Sequence, residues 1–587
     1  MAGSRTIKCT HQLHLLLLAA AVALSSWACA PTAAPASNGP PAASPLTRTT
    51  KTIVAAVGVP ITGFSAIGLP GNGNTIALFF DVHSNGLVTS DDQGRPIPRL
   101  ASELPALDKG TLRLLDDGRM TTEYHLRPDA TWHDGTPFTA HDVAFGFRAH
   151  ADPELAFSDR SAVAQIESAE EIDAHSVLIT WKHPFYLADS LGALILFPLP
   201  AHILEQPYNT LDKQSFLQLR YWTTEYVHTG PFRLVRFEPG QGATFEAYDG
   251  YFLGRPMVDA FEVREILDTN ARYAAILSGD VDLTLDGLNG AQAASLEGQW
   301  QSTDGGRVMF TQGPVYFFAF QFASEYADPR DWLDPRLRRA LYLAVDRRAL
   351  ADLAYGGVPT PEGEARSLLP ASDPLYDYVK EAYAGDANDP TRASQAFAEA
   401  GWSRGADGPL VNAAGAHLPI SIDVTSVRVP IATVGADMWK RVGVDASIRL
   451  DAQEQQTDRE FLQSYAGVQM TAAGQGDRIF PRFDGGSVTT ASNRYSGTNR
   501  GHYDNPAMND LLARYRSSLD VALRGQVTRQ IADLVGQDWP LLPLFYTPIY
   551  ATVSRPVHAL DDLNGGYAGG GGYLGGYART AHLWEKD

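Results

Sequence analysis

Four histidines, at positions 125, 133, 141 and 150, are the first residues of this chain whose type and spacing could do chemistry. Imidazoles gather a zinc ion when an i, i+4 pair on one helix face brings two of them together. Intervals of eight and nine residues do not, and Trp132-His133-Asp134-Gly135-Thr136-Pro137 reads as a tight turn among them. No metal is expected from this set. Asp280 and Asp282 could pair as acid and base, but a solvated strand end is their expected setting. The chain contains no H-E-x-x-H, no G-x-S-x-G, no phosphate loop and no glycine-rich dinucleotide fingerprint. Its two cysteines, Cys9 and Cys29, fall in the first thirty residues. The remainder therefore offers no disulfide, thiolate metal site or cysteine nucleophile. The expectation is a chain with no cofactor that is not an enzyme.

What must position any site is a large globular body. The 587 residues correspond to two to four domains, and 44% hydrophobic with 19% charged residues excludes a largely disordered chain. A net charge of −20 argues against a nucleic-acid partner and against adsorption on anionic lipid.

Arg5 and Lys8 precede an apolar stretch, Leu13 to Leu24, that is too short to span a bilayer. Small residues then lead to Ser26-Trp27-Ala28-Cys29, so residues 1–28 read as an export signal. Ala28-Cys29-Ala30 fits an ordinary A-x-A cleavage site, which would leave Pro31 just after the cut. The alternative resembles a bacterial lipoprotein signal, cut before Cys29, which then carries the lipid. The second reading is preferred, because residues 29–50 are rich in Pro, Ala and Ser and suit a semi-extended tether. The mature chain is expected outside the cytoplasm, held to a membrane through Cys29.

From Thr52 onward short apolar runs alternate with helical segments. Residues 53–59 are strand-like. Residues 112–128 suggest a hairpin turning at Asp116-Asp117-Gly118. Thr139 and Asp142 form a capping pair for the next helix. Residues 232–237 and 243–249 read as paired strands, and the helix 270–278 stops at Gly279. Asp334-Pro335 opens one long helix that ends at Gly356-Gly357. Asp389-Pro390 opens another, ending at Gly401-Trp402, and residues 506–537 carry one or two more. The Gly-rich segment 565–578 is read as a surface loop.

Aromatics cluster beside polar, turn-forming residues at Tyr221-Trp222, Tyr226, Tyr316-Phe317-Phe318 and Arg494-Tyr495, as the walls of small-molecule clefts do. Trp222, Tyr316 and Arg494 are candidates for such walls, while Phe317, Phe318 and Phe320 are expected in the core. The run YHLRPDATWHDGTPFTAHDVAFGF (124–147) resembles a signature of the extracellular solute-binding proteins of family 5, which serve dipeptide, oligopeptide and nickel importers of the ABC class. Thr229 to Phe232 with 248–256, ILSGDVDL (276–283), 334–361, 393–402 and 542–556 resemble further segments, in the family's order.

The resemblance implies an α/β, two-lobe periplasmic-binding-protein-like fold (type II, cluster C). The first lobe would take 51–312 and 547–587 and include an extra subdomain at about 95–200. The second would take 313–546, with two hinge strands near 312–316 and 543–548. It further implies a monomer that captures a peptide or other small molecule and delivers it to ABC permease subunits. A solute sensor or a periplasmic chaperone on the same scaffold is the alternative. Peptide-binding members carry a Trp-x-x-Asp element whose aspartate meets the peptide's α-ammonium. Met470-Thr471-Ala472-Ala473 stands there instead. The ligand candidates are therefore Met470, Thr471, Ala473, Gln475, Asp477 and Arg478, with Gln321 standing where the family often has Asn.

Overall fold

A computed structural model describes residues 50–587 apart from 66–72, 92–94, 156–161, 193–195, 357–362, 372, 406–407, 453–454, 456–457, 475, 494, 496 and 561–575. The signal, Cys29 and the tether thus lie outside the described residues, as do Gln475, Arg494 and most of the Gly-rich segment.

Ten strands form one mixed sheet. Across it run Asp445–Leu450, Pro419–Val424, Val468–Ala473, Gly306–Phe320, Leu541–Ser554, Leu283–Thr284, Thr52–Val57, Ala260–Glu265, Gly242–Ala247 and Phe232–Glu238. Thr52–Val57 runs parallel to both of its neighbours, as buried apolar strands linked by crossovers do. Pro419–Val424 does the same at the other end of the sheet. In the middle, the long strands Gly306–Phe320 and Leu541–Ser554 pair antiparallel, with register shifts between Gln312 and Val315 and between Tyr316 and Phe317. A separate four-stranded sheet joins Leu112–Leu114, Met120–His125, Ser176–Trp181 and Ile166–Asp173.

The apolar cores divide along these lines. One cluster draws only on residues between Val315 and Tyr546. A second combines residues from Ile53 to Met309 with Ala551 to Trp584. A third, from Leu87 to Leu196, fills the space beneath the four-stranded sheet. The fold is α/β with two lobes, and only the central strand pair belongs to both ends of the large sheet.

Several local expectations need correction. The segment after Asp334 is two helices, Pro335–Ala344 and Arg347–Ala354. Asp346 accepts from the Ala349 N–H at 3.0 Å, so it caps a second helix in the midst of a continuous apolar stripe. Asp282 is not solvated. It is buried, accepts from the Val54 N–H at 2.8 Å and pairs with Lys586 at 2.7 Å, fastening the C-terminus to the first strand. The end of the Gly-rich segment is no surface loop either: Tyr577 and Ala578 are buried, and the Tyr577 hydroxyl donates to the Leu78 carbonyl. The capping pair appears as expected, with the Thr139 N–H 2.9 Å from Asp142 Oδ2. That carboxylate also receives Trp132 Nε1 and the Ala201 N–H.

Candidate functional site

In an open α/β sheet, ligands gather beyond the carboxyl ends of the parallel strands. Here Thr52–Val57 runs out into Gly58-Val59, and Leu283–Thr284 runs out into Asp286-Gly287-Leu288. These loops face Pro314 and Thr547 to Tyr550 of the central strand pair across a cavity of about 260 Å³. The ladder is broken at this level, and Thr547 Oγ1 bridges to the Pro314 carbonyl at 3.2 Å.

Arg272, from the helix Thr269–Ser278, ties the two loops together. Its Nη2 donates to the Gly287 carbonyl at 2.9 Å and to Thr269 Oγ1 at 3.2 Å, and its Nη1 donates to the Ile266 carbonyl. A Cβ on Gly58 would lie 2.5 Å from the guanidinium carbon, and one on Gly287 would lie 2.2 Å from Nη2. The guanidinium thus packs directly on both glycines, so a side chain at either would displace it, and Gly287 also has φ +79°, a backbone that favours glycine. Asp286 accepts from the Gly58 N–H at 2.7 Å. Burial raises its carboxyl, while that bond and the charge of Arg272 pull it down.

A second contact joins the lobes away from the central strands. Tyr186, beside the core of the four-stranded sheet, donates its hydroxyl to Asp477 Oδ2, which also receives the Tyr515 hydroxyl at 3.3 Å. The Tyr186 N–H bonds the Arg516 carbonyl at 2.9 Å, and Arg524 lies 5.3 Å from the ring centre. Burial raises Asp477, with the tyrosine hydroxyls, Arg478 and Arg524 opposing it. Asp373 beside it is pushed up to about 6, again chiefly by burial.

The structure separates the sequence candidates. Met470 sits in the second-lobe core, and Ala473 is buried opposite Val315 of the central strand. Thr471 shares the face of Ala473, opposite Phe317, while Met470 points to the other face. Tyr316 is half-buried against Phe545, with the Arg428 guanidinium 5.2 Å from its ring centre. Gln321 is buried and internally bonded, donating to the Gln463 carbonyl at 2.7 Å and accepting from the Ala323 N–H at 2.9 Å. Trp222 is a core residue rather than a cleft wall, for its indole N–H is spent on the Phe216 carbonyl at 2.8 Å. Arg478 flanks Asp477, which joins the lobes rather than lining the cavity. Of the four histidines, His133 and His150 are buried, while His141 is exposed beside Glu205 and Glu171. Arg272, Asp286, Gly287 and Tyr186 went unnoticed in the sequence. Only the pairing of two strands more than two hundred residues apart shows that Gly58 and Gly287 share one guanidinium.

A family model described as bacterial extracellular solute-binding proteins, family 5 (middle), matches residues 95–487. Protein XP55 of Streptomyces lividans is 27% identical over 454 residues, covering 76% of this chain and 75% of that protein. The periplasmic oligopeptide-binding protein OppA of Haemophilus influenzae is 24% identical over 486 residues, covering 78% and 82%. Among solved structures, the periplasmic EDTA-binding protein EppA superimposes with a TM-score of 0.73 at 18% identity, covering 92% of this chain and 96% of that one. With the segments in order, the two lobes on one divided sheet and a family model that spans most of the chain, this protein belongs to the bacterial extracellular solute-binding proteins of family 5.

Proposed function

We propose that the chain is the solute-capturing component of an ABC importer, exported and anchored to a membrane through Cys29, and that it closes two lobes on one small solute. Family membership supports the importer role. The observation that carries the mechanism is the separation of the apolar cores on either side of the central strand pair, whose ladder is broken beside a cavity of about 260 Å³. Residues 51–312 and 547–587 then form one lobe and 313–546 the other, a division that the apolar cores support. The hinge is the pair of strands where the ladder is broken. Closure brings Tyr186 to Asp477, and a solute that touches both lobes favours that state. The reading assigns no catalytic step to the chain, because ATP is hydrolysed by other subunits.

The solute lacks a free α-ammonium, as a blocked peptide, a sugar or a chelate does. A buried ammonium needs a carboxylate. Ala473 cannot supply one, and Asp477 Oδ2 already receives two tyrosine hydroxyls. The test is mass spectrometry of the solute released from protein purified without denaturation. It is combined with calorimetric titration of free and N-acetylated di- to pentapeptides into the parent and Asp477→Asn. Tight binding of free peptides alone, lost in Asp477→Asn, would refute the ammonium-free solute and make Asp477 the anchor.

A further inference from the structure

On one face of the second-lobe sheet, Phe317 and Ala319 stand opposite Thr471 and Gln469. Above them lies a cavity of about 20 Å³, bounded by Thr471, Gln469, Tyr465, Arg482 and Arg500. That volume admits one water-sized group. Arg482 lies 5.9 Å from the Phe317 ring centre and donates to the Thr498 carbonyl at 2.8 Å and the Ala472 carbonyl at 3.2 Å. Among the described residues it has no carboxylate partner. The Arg500 guanidinium, also among the described residues, makes neither a hydrogen bond nor an ion pair. The Thr471 hydroxyl is likewise unbonded.

Burial, and next the charge of Arg500, lowers Arg482 to about 10. Burial lowers Arg500 too, with Arg459 and Arg428 adding to it and Tyr465 opposing. Both side chains are only partly buried, but two guanidiniums that share one small pocket without an anion still repel each other. Carbonyl oxygens satisfy two N–H groups of Arg482 but neutralise nothing.

We propose that this cavity is a binding site for a small anion, a halide or one oxygen of a carboxylate, held between Arg482 and Arg500 with the Thr471 hydroxyl as a neutral donor. Every residue that bounds it belongs to the second lobe, so the site exists whether or not the lobes close. It goes beyond the importer reading and fails or stands separately from it.

The test uses the whole mature protein without any solute. Thermal melting is followed against sodium chloride and sodium formate, with sodium methanesulfonate at equal ionic strength as the bulky reference anion. The expected result is a saturating rise in melting temperature with chloride or formate over methanesulfonate, lost in Arg500→Gln. A response to chloride alone identifies a resident halide, and a response to formate a carboxylate. Arg500→Gln removes no hydrogen bond and should fold, whereas Arg482→Gln loses two and serves only as a secondary variant. No saturating difference between the anions in the parent, or an equal difference in Arg500→Gln, overturns the site.

Discussion

Replacing Tyr186 with Phe removes one hydroxyl from the contact between the lobes and leaves the ring, which packs on Tyr515 with centroids 5.1 Å apart. The lost interaction is a hydrogen bond to a carboxylate, a class that contributes about 1.5–3 kcal/mol. Tyr515 still reaches Asp477, and Arg478 and Arg524 still lie near its charge, so the lower end applies. About 1.5 kcal/mol corresponds to roughly tenfold in the equilibrium between open and closed states. If the free protein is mostly open, apparent affinity for the solute weakens by about that factor, because only the closed fraction is competent. If the free protein is mostly closed, affinity changes less and the radius of gyration of the free protein rises instead. Calorimetry and small-angle scattering on the parent and Tyr186→Phe read both quantities. Asp477→Asn and the double variant complete the cycle, and contacting residues should show non-additive effects. Unchanged affinity together with unchanged scattering would refute the claim that this contact belongs to closure.

Three further outcomes are expected. Burial holds His83 at about 3 and His133 at about 4, below the unfolded value of 6.5, so unfolded chains take up these protons first as pH falls. Their stability contribution is full above pH 6.5 and declines toward pH 4, by about 2 kcal/mol apiece at pH 5. Asp373, raised to about 6, contributes with the opposite sign, so the measurement is the difference between parent and His83→Gln in urea titrations at pH 8 and pH 5. An identical pH dependence in the two proteins would count against the buried neutral imidazole. Gly287→Ala forces a Cβ to within 2.2 Å of Arg272 at a left-handed backbone position, so it should cost roughly 2–4 kcal/mol in thermal or chemical unfolding. A near-neutral result would mean that Arg272 does not clamp the loops. Cys29→Ser should move the protein from the membrane to the soluble fraction, and equal fractionation would refute lipidation there.

The frame of the molecule was readable because its signals are local. Asp334-Pro335, Gly279 and the Thr139–Asp142 pair mark helix ends by their own chemistry, and each does so in the structure. The lobe-crossing strands were legible through resemblance alone, since nothing in 306–320 or 541–554 announces a partner more than two hundred residues away. Asp346 misled because an apolar stripe continues through it, although a carboxylate there can cap a new helix. Trp222 misled because its neighbours resemble a cleft wall in composition, whereas its indole N–H had a carbonyl six residues away. The site residues are the least legible. Arg272 reads as an ordinary helical arginine until two glycine loops are folded around it, and Tyr186 reads as an ordinary tyrosine until a second lobe meets it.

The most direct test of capture by closure is small-angle scattering of protein freed of resident solute by unfolding and refolding, then titrated with mass-resolved fractions of the solute released from the natively purified protein. Closure predicts that one fraction raises the melting temperature, binds at one solute per chain and reduces the radius of gyration in step with occupancy. Saturable binding at one per chain with an unchanged radius of gyration would contradict it.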